Sequence, residues 1–297
     1  MATGIRLVFV HGINQQGKDP AALKSTWVED LEKGIGRPGA LADVEISMPF
    51  YGNILADLSG ARTTGAIAQG TDDALNLDLS TFLSDGLGEM AEAEGISRAS
   101  IRDEQQSAAS EDLTVVEEGF PMSRRINAIV SLLERVSPLH GDLALRLLDQ
   151  AHAYLKRPQV GPAVDEVVRP VLDAGPIVLV THSLGTVVAF KLLRAMADAG
   201  HAPDTPLLIT LGSPLPLSTV QRALGPPFTT PPGIGRWINV RDPNDIISLN
   251  RGLERPLFSS AIENIGGFEN PGVDAHAIPG YLRCNEMASA VRQELGI

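Results

Sequence analysis

The sequence predicts an α/β protein: a doubly wound, mostly parallel sheet of about six strands carrying a helical cap insertion. Three observations point there. Residues 5–10 (IRLVFV) form a near-continuous apolar run of the kind found in strands buried on both faces. From Pro176 onward such runs alternate with helical patterns, as parallel strands joined by crossover helices require. The 297 residues are 43% hydrophobic, enough for a sizeable core in a single domain spanning residues 1–297.

After the first strand, Asp19-Pro20 offers an N-cap and a proline at the first helical position. Leu23, Trp27 and Leu31 then recur every fourth residue, up to a stop near Gly34 or Gly36. A second strand is expected over about 44–50. The insertion, about 53–175, holds no good strand. Its clearest helices are 141–155, apolar at Leu143, Leu145, Leu147, Leu148 and Ala151, and about 162–172. There follow a strand at 177–180, a helix from 184 to about 199, a strand at 207–211 and a Pro/Gly-rich loop over 212–235. A strand at 237–240, another near 259–265 and a closing helix over about 281–295 complete the chain.

Charge and cysteine content exclude several functions. Lys and Arg number 24 against 36 Asp and Glu, a net −12, with no basic cluster to hold nucleic acid or an anionic membrane. Residues 53–118 alone hold 14 acidic and 3 basic side chains, so the imbalance belongs to the insertion; over a pocket it disfavours anionic substrates. The single Cys284 rules out an intrachain disulfide and C-x-x-C motifs, and no H-E-x-x-H metal motif occurs. The N-terminus lacks a signal-peptide pattern, and the apolar stretch around 177–190 is broken by His182, too short to span a bilayer. A cytoplasmic protein without stable membrane insertion is expected.

The chemistry-bearing motif is Thr181-His182-Ser183-Leu184-Gly185, set between a strand and a helix. A central serine on such a sharp turn is the context of a nucleophile elbow, which needs small residues two before and two after it. Gly185 meets that demand; Thr181 meets it in part. The turn also puts Ser183 at a helix N-terminus, whose dipole favours a developing oxyanion. Of six histidines, only His276 both follows the elbow and lies after a late strand, so it is the candidate base in the order Ser…Asp…His. Asp245 in RDPNDII, just past strand 237–240, is the preferred acid, with Asp242 in reserve.

Together, VFVHG near the start, THSLG, LGSP, WINVRDPNDIIS and the late DAH…Y make the chain resemble α/β-hydrolase serine hydrolases, the lipase-like branch in particular, over about residues 5–283 outside the insertion. The resemblance implies a Ser183–Asp245–His276 triad and an oxyanion hole from the backbone N–H groups of Leu184 and of Ile13 (or Asn14). It further implies an esterase or lipase acting through an acyl-enzyme on a neutral acyl-ester or lipid-like small molecule, without cofactor or metal. The family more often has glycine where Thr181 stands. Set against that resemblance, the chain opens directly on the oxyanion strand, so a sheet of about six strands without the family's two leading strands is expected.

Competing readings are a hydrolase-fold binding module with a decayed triad, and a nucleotide binder. Gly12-Ile-Asn-Gln-Gln-Gly17-Lys18 has the spacing of a P-loop, but Asp19 stands where Ser or Thr would hold magnesium. Residue by residue, Ser183 could mark a plain strand-to-helix turn, His276 a loop histidine on a carbonyl, and Asp245 a helix cap. His11 reads as a shaper of the oxyanion loop, Ser213-Pro214 as a pocket turn, and Cys284 and Tyr281 as packing residues.

Overall fold

The computed structural model describes residues 4–59, 73–111, 121–258, 261–271 and 274–297. Its strands are β1 (Arg6–Val10), β2 (Ile46–Ser47), β3 (Ile177–His182), β4 (Thr205–Leu211), β5 (Ile234–Val240) and β6 (Ile262–Ile265). They form one sheet in the order β2-β1-β3-β4-β5-β6, parallel throughout. Helices α1 (Pro20–Ile35), α2 (Gly52–Ser59), α3 (Asp73–Ala93), α4 (Arg98–Glu111), α5 (Pro121–Val136), α6 (His140–Lys156), α7 (Val160–Leu172), α8 (Leu184–Asp198), α9 (Ser218–Leu224), α10 (Ile278–Leu282) and α11 (Asn285–Leu295) surround it. The fold is the doubly wound α/β arrangement.

Alternation along each strand explains why the sheet is covered twice. Leu7, Phe9, Val178, Val180, Leu207, Ile209 and Leu211 face one core with Trp27 and Leu31 of α1 and Met287 and Val291 of α11. Val8, Val10, Leu179 and Leu208 face the other, with Val164 and Val168 of α7 and Val187, Val188 and Leu192 of α8. Helix α1 starts as its sequence dictates: Asp19 accepts from the backbone N–H of Ala21 and Ala22, and Pro20 takes the first position. α7 packs on β1 and α8 and so covers the sheet, whereas α3 and α6 reach over α9 and a 3-10 turn at Ile246–Ser248. Both of those follow strand C-terminal ends.

Several boundaries differ from the sequence reading. β2 is two residues long, not the seven of 44–50, because only Ile46 and Ser47 reach the register of Leu7 and Val8. β5 starts at Ile234, inside the expected loop; Gly235 and Arg236 are exposed and break the apolar run that marks a strand. The closing helix is two helices, since Cys284 adopts an extended conformation (φ −61°, ψ 118°) between them. Residues 259 and 260 of the last expected strand lie outside the described residues. No helix among those described is long and apolar enough to cross a membrane.

Candidate active site

Strand order reverses between β1 and β3: β1 runs on to β2 at one edge, and β3 through β6 fill the other side. Doubly wound sheets open a crevice outside the strand C-termini at that reversal. Gly12 lies just past β1 and Ser183 just past β3. Ser183 has φ 55° and ψ −131°, a conformation that side-chain-bearing residues rarely adopt, and it directly precedes α8. Its backbone N–H donates to Leu211 O at 3.0 Å.

Close packing holds this turn. A Cβ on Gly185 would strike the carbonyl oxygens of Val10 and His11; one on Gly12 would come within 2.5 Å of Ser183 Cβ and 3.0 Å of its Oγ. Thr181 is accommodated because its buried hydroxyl donates to Ile209 O of β4 at 2.8 Å, which satisfies the polar atom that glycine would lack. Gly185→Ala is accordingly expected to destabilise the fold by about 2–3 kcal/mol. Denaturant unfolding checks this; an unchanged midpoint would remove close packing as the reason for glycine here.

The candidate acid and base come from loops after β5 and β6. Asp245 is fully buried: its Oδ1 accepts from Ile247 N at 2.9 Å, and its Oδ2 accepts from His276 Nδ1 at 2.8 Å and from Tyr281 Oη at 2.7 Å. Asp242 has a different task. Its Oδ1 accepts from Asn244 N at 2.7 Å and its Oδ2 from Asn270 N, so it ties the acid loop to the loop bearing His276. Of the two aspartates, Asp245 is the one in contact with His276. Burial alone would disfavour a charged His276, but the charge and hydrogen bond of Asp245, with Asp274 adding to them, outweigh it and raise its pKa above the ordinary 6.5.

With Nδ1–H donating to Asp245, His276 keeps Nε2 as its basic nitrogen. Among the described residues, Ser183 Oγ and His276 Nε2 are both buried without a hydrogen-bond partner. The two lie on either side of one turn: Leu211 O accepts from Ser183 N, and a Cβ on the next residue, Gly212, would sit 3.0 Å from His276 Nδ1. His182, beside the serine, donates from Nε2 to His276 O at 2.9 Å, and the two rings lie 4.6 Å apart. Burial, then the neighbouring His276, push His182 well below the usual histidine range, so it sits uncharged next to that imidazole.

The predicted oxyanion residues flank the serine. Leu184 opens α8, whose first N–H groups lack intrahelical partners by helix geometry, and Ile13 follows Gly12 on the loop against Ser183. His11 shapes that loop: its Nδ1 donates to Gly12 O at 2.9 Å, its Nε2 accepts from Tyr51 N at 3.2 Å, and the Tyr51 hydroxyl donates to His11 O. Burial holds His11 at a pKa of about 4, so it is neutral. The P-loop spacing leads nowhere electrostatically, because the Asp19 carboxylate already occupies the α1 N-terminus. Among the described residues no His/Cys/Asp/Glu group could hold a metal ion.

Tyr281 and His182 are the polar partners that sequence reasoning missed. The DAH…Y spacing was the available signal for Tyr281; His182 lay in view beside the serine, but nothing local says which loop its ring would meet. A cavity of about 550 Å³ lies between the insertion (Glu94, Ser137, His140) and the acid and base loops (Asn244, Asn250, Ala275). Comparison with protein-family models, curated proteins and solved structures returned no match.

Proposed function

We propose that this protein is a serine hydrolase that cleaves carboxylic esters through an acyl-enzyme on Ser183. The observation that carries the reading is the pair of buried, unpartnered atoms, Ser183 Oγ and His276 Nε2, with the imidazole's other nitrogen bound to buried Asp245. An unsatisfied buried hydroxyl and an unsatisfied buried imidazole nitrogen each cost stability, a pattern expected where function needs both groups free.

In this reading Ser183 Oγ attacks the acyl carbonyl while its proton passes to His276 Nε2, and Asp245 stabilises the imidazolium. The N–H groups of Leu184 and Ile13 are assigned to the developing oxyanion. The imidazolium returns its proton to the leaving alkoxide; water, deprotonated by His276, then releases the acid. The acidic insertion favours a neutral ester over an anion.

A fluorophosphonate probe tests the assignment: the expected adduct lies on the peptide containing Ser183 and is absent from Ser183→Ala. An unmodified wild-type protein would favour a non-catalytic binding module instead. The pH dependence has a defined sign. Protonated His276 is inactive as a base and its pKa is raised, so kcat/KM for a p-nitrophenyl ester is expected to climb with pH through a midpoint above 6.5. A midpoint below 6.5 would remove Asp245 as the partner that outweighs burial.

A further inference from the structure

Four groups form one buried chain across three segments. Asp242 N–H donates to Tyr281 Oη at 3.1 Å; Tyr281 Oη donates to Asp245 Oδ2 at 2.7 Å; His276 Nδ1–H donates to that same oxygen at 2.8 Å. The carboxylate oxygen that faces the imidazole is therefore shared with a phenol. Tyr281 is fully buried on α10, next to the His276 loop, and burial followed by the charge of Asp245 raise its pKa well above the usual value, so it remains a donor. We infer that Tyr281 is a positioning residue of this site: its phenol holds Asp245 Oδ2 in place and sets how much of that carboxylate's charge reaches His276.

The inference rests on the role proposed for His276, and its physical basis is competition for one oxygen. A hydrogen bond to a charged acceptor stabilises the charge and spreads it, so each donor on Oδ2 weakens what the other receives. Among the described residues no other group is placed to take over. Besides Asp245, His276 is faced by Asp274 on its own loop and by uncharged His182 at the end of β3. Tyr281 is faced by Asp245, by Asp242 and by the His182 ring at 5.9 Å. On α1, buried Asp30 is taken up by Arg283 at 2.6 Å and Lys33 at 2.9 Å.

Removing the phenol oxygen should concentrate the charge of Asp245 on the imidazole. Tyr281→Phe is expected to raise the protonation midpoint of His276 by about half a pH unit or more, read by NMR titration of the imidazole Cε1–H. The acid limb of kcat/KM should move the same way, lowering activity most near neutral pH and least in alkaline solution. Replacing tyrosine globally with 3-fluorotyrosine keeps the shape and makes the phenol a stronger donor, so the midpoint should fall. The chain has three tyrosines, and of Tyr51, Tyr154 and Tyr281 only Tyr281 bonds Asp245. A uniform loss of activity with an unmoved midpoint in Tyr281→Phe would reduce Tyr281 to a packing residue and overturn the inference. Should Tyr281→Phe fail to fold, an unmoved midpoint in the fluorotyrosine protein overturns it equally. The NMR titration needs no turnover, so a protein that hydrolyses no ester would sink the hydrolase reading while the midpoints still decide the role of Tyr281.

Discussion

Ser183→Ala is expected to lower kcat for a p-nitrophenyl ester by about 10⁴-fold or more while leaving the protein folded. The catalytic loss follows because no other hydroxyl replaces Oγ at the elbow. Ser213, the nearest candidate in the sequence motifs, is engaged with Thr186 Oγ1 at 2.8 Å and with Leu215 N at 3.2 Å. Stability should move little or rise, since Oγ is a buried hydroxyl without a partner and alanine removes that cost without opening a cavity. The two readouts together carry the assignment: activity collapses while the melting temperature holds. Equal hydrolysis by both proteins would place the chemistry elsewhere.

Asp245→Asn and Asp242→Asn should separate in kind. An amide at 245 removes the charge that stabilises the imidazolium and can hold the wrong tautomer, so kcat is expected to fall about 10³–10⁴-fold. Its second effect has a sign: with the raising influence of Asp245 gone, burial dominates and the His276 midpoint should drop below 6.5. Asp242→Asn instead disturbs acceptors for Asn244 N and Asn270 N, at a cost of about 1–2 kcal/mol in stability with far smaller kinetic change. Steady-state kinetics and thermal unfolding of both variants decide the matter. A larger kinetic loss in Asp242→Asn would exchange their roles.

Much of this was legible along the chain because it depends on near neighbours. The apolar run of β1, the capping of α1 by Asp19 and Pro20, and the strand-turn-helix context of Ser183 are all local, and each element appears where its residues place it. Boundaries failed where locality fails. β2 is trimmed by its pairing with β1, and β5 reaches back through exposed Arg236 to Ile234 because β4 pairs Leu207 with Arg236 and Thr205 with Ile234. The break at Cys284 is likewise invisible to apolar periodicity, which runs through it.

By itself the sequence determined the doubly wound class, the serine on a sharp turn, and two aspartates three residues apart, Asp242 and Asp245, as candidate acids. A residue's type and its spacing to near neighbours are enough for these. Only the tertiary structure decided which aspartate reaches His276, that His182 holds that histidine's carbonyl, and that Tyr281 shares the carboxylate oxygen. Asp245 and His276 are 31 residues apart in sequence, and His182 and His276 are 94 apart. Hydrogen bonds over such separations are set by how strands order in the sheet and how loops fall at its edge, and single-chain periodicity carries no record of either.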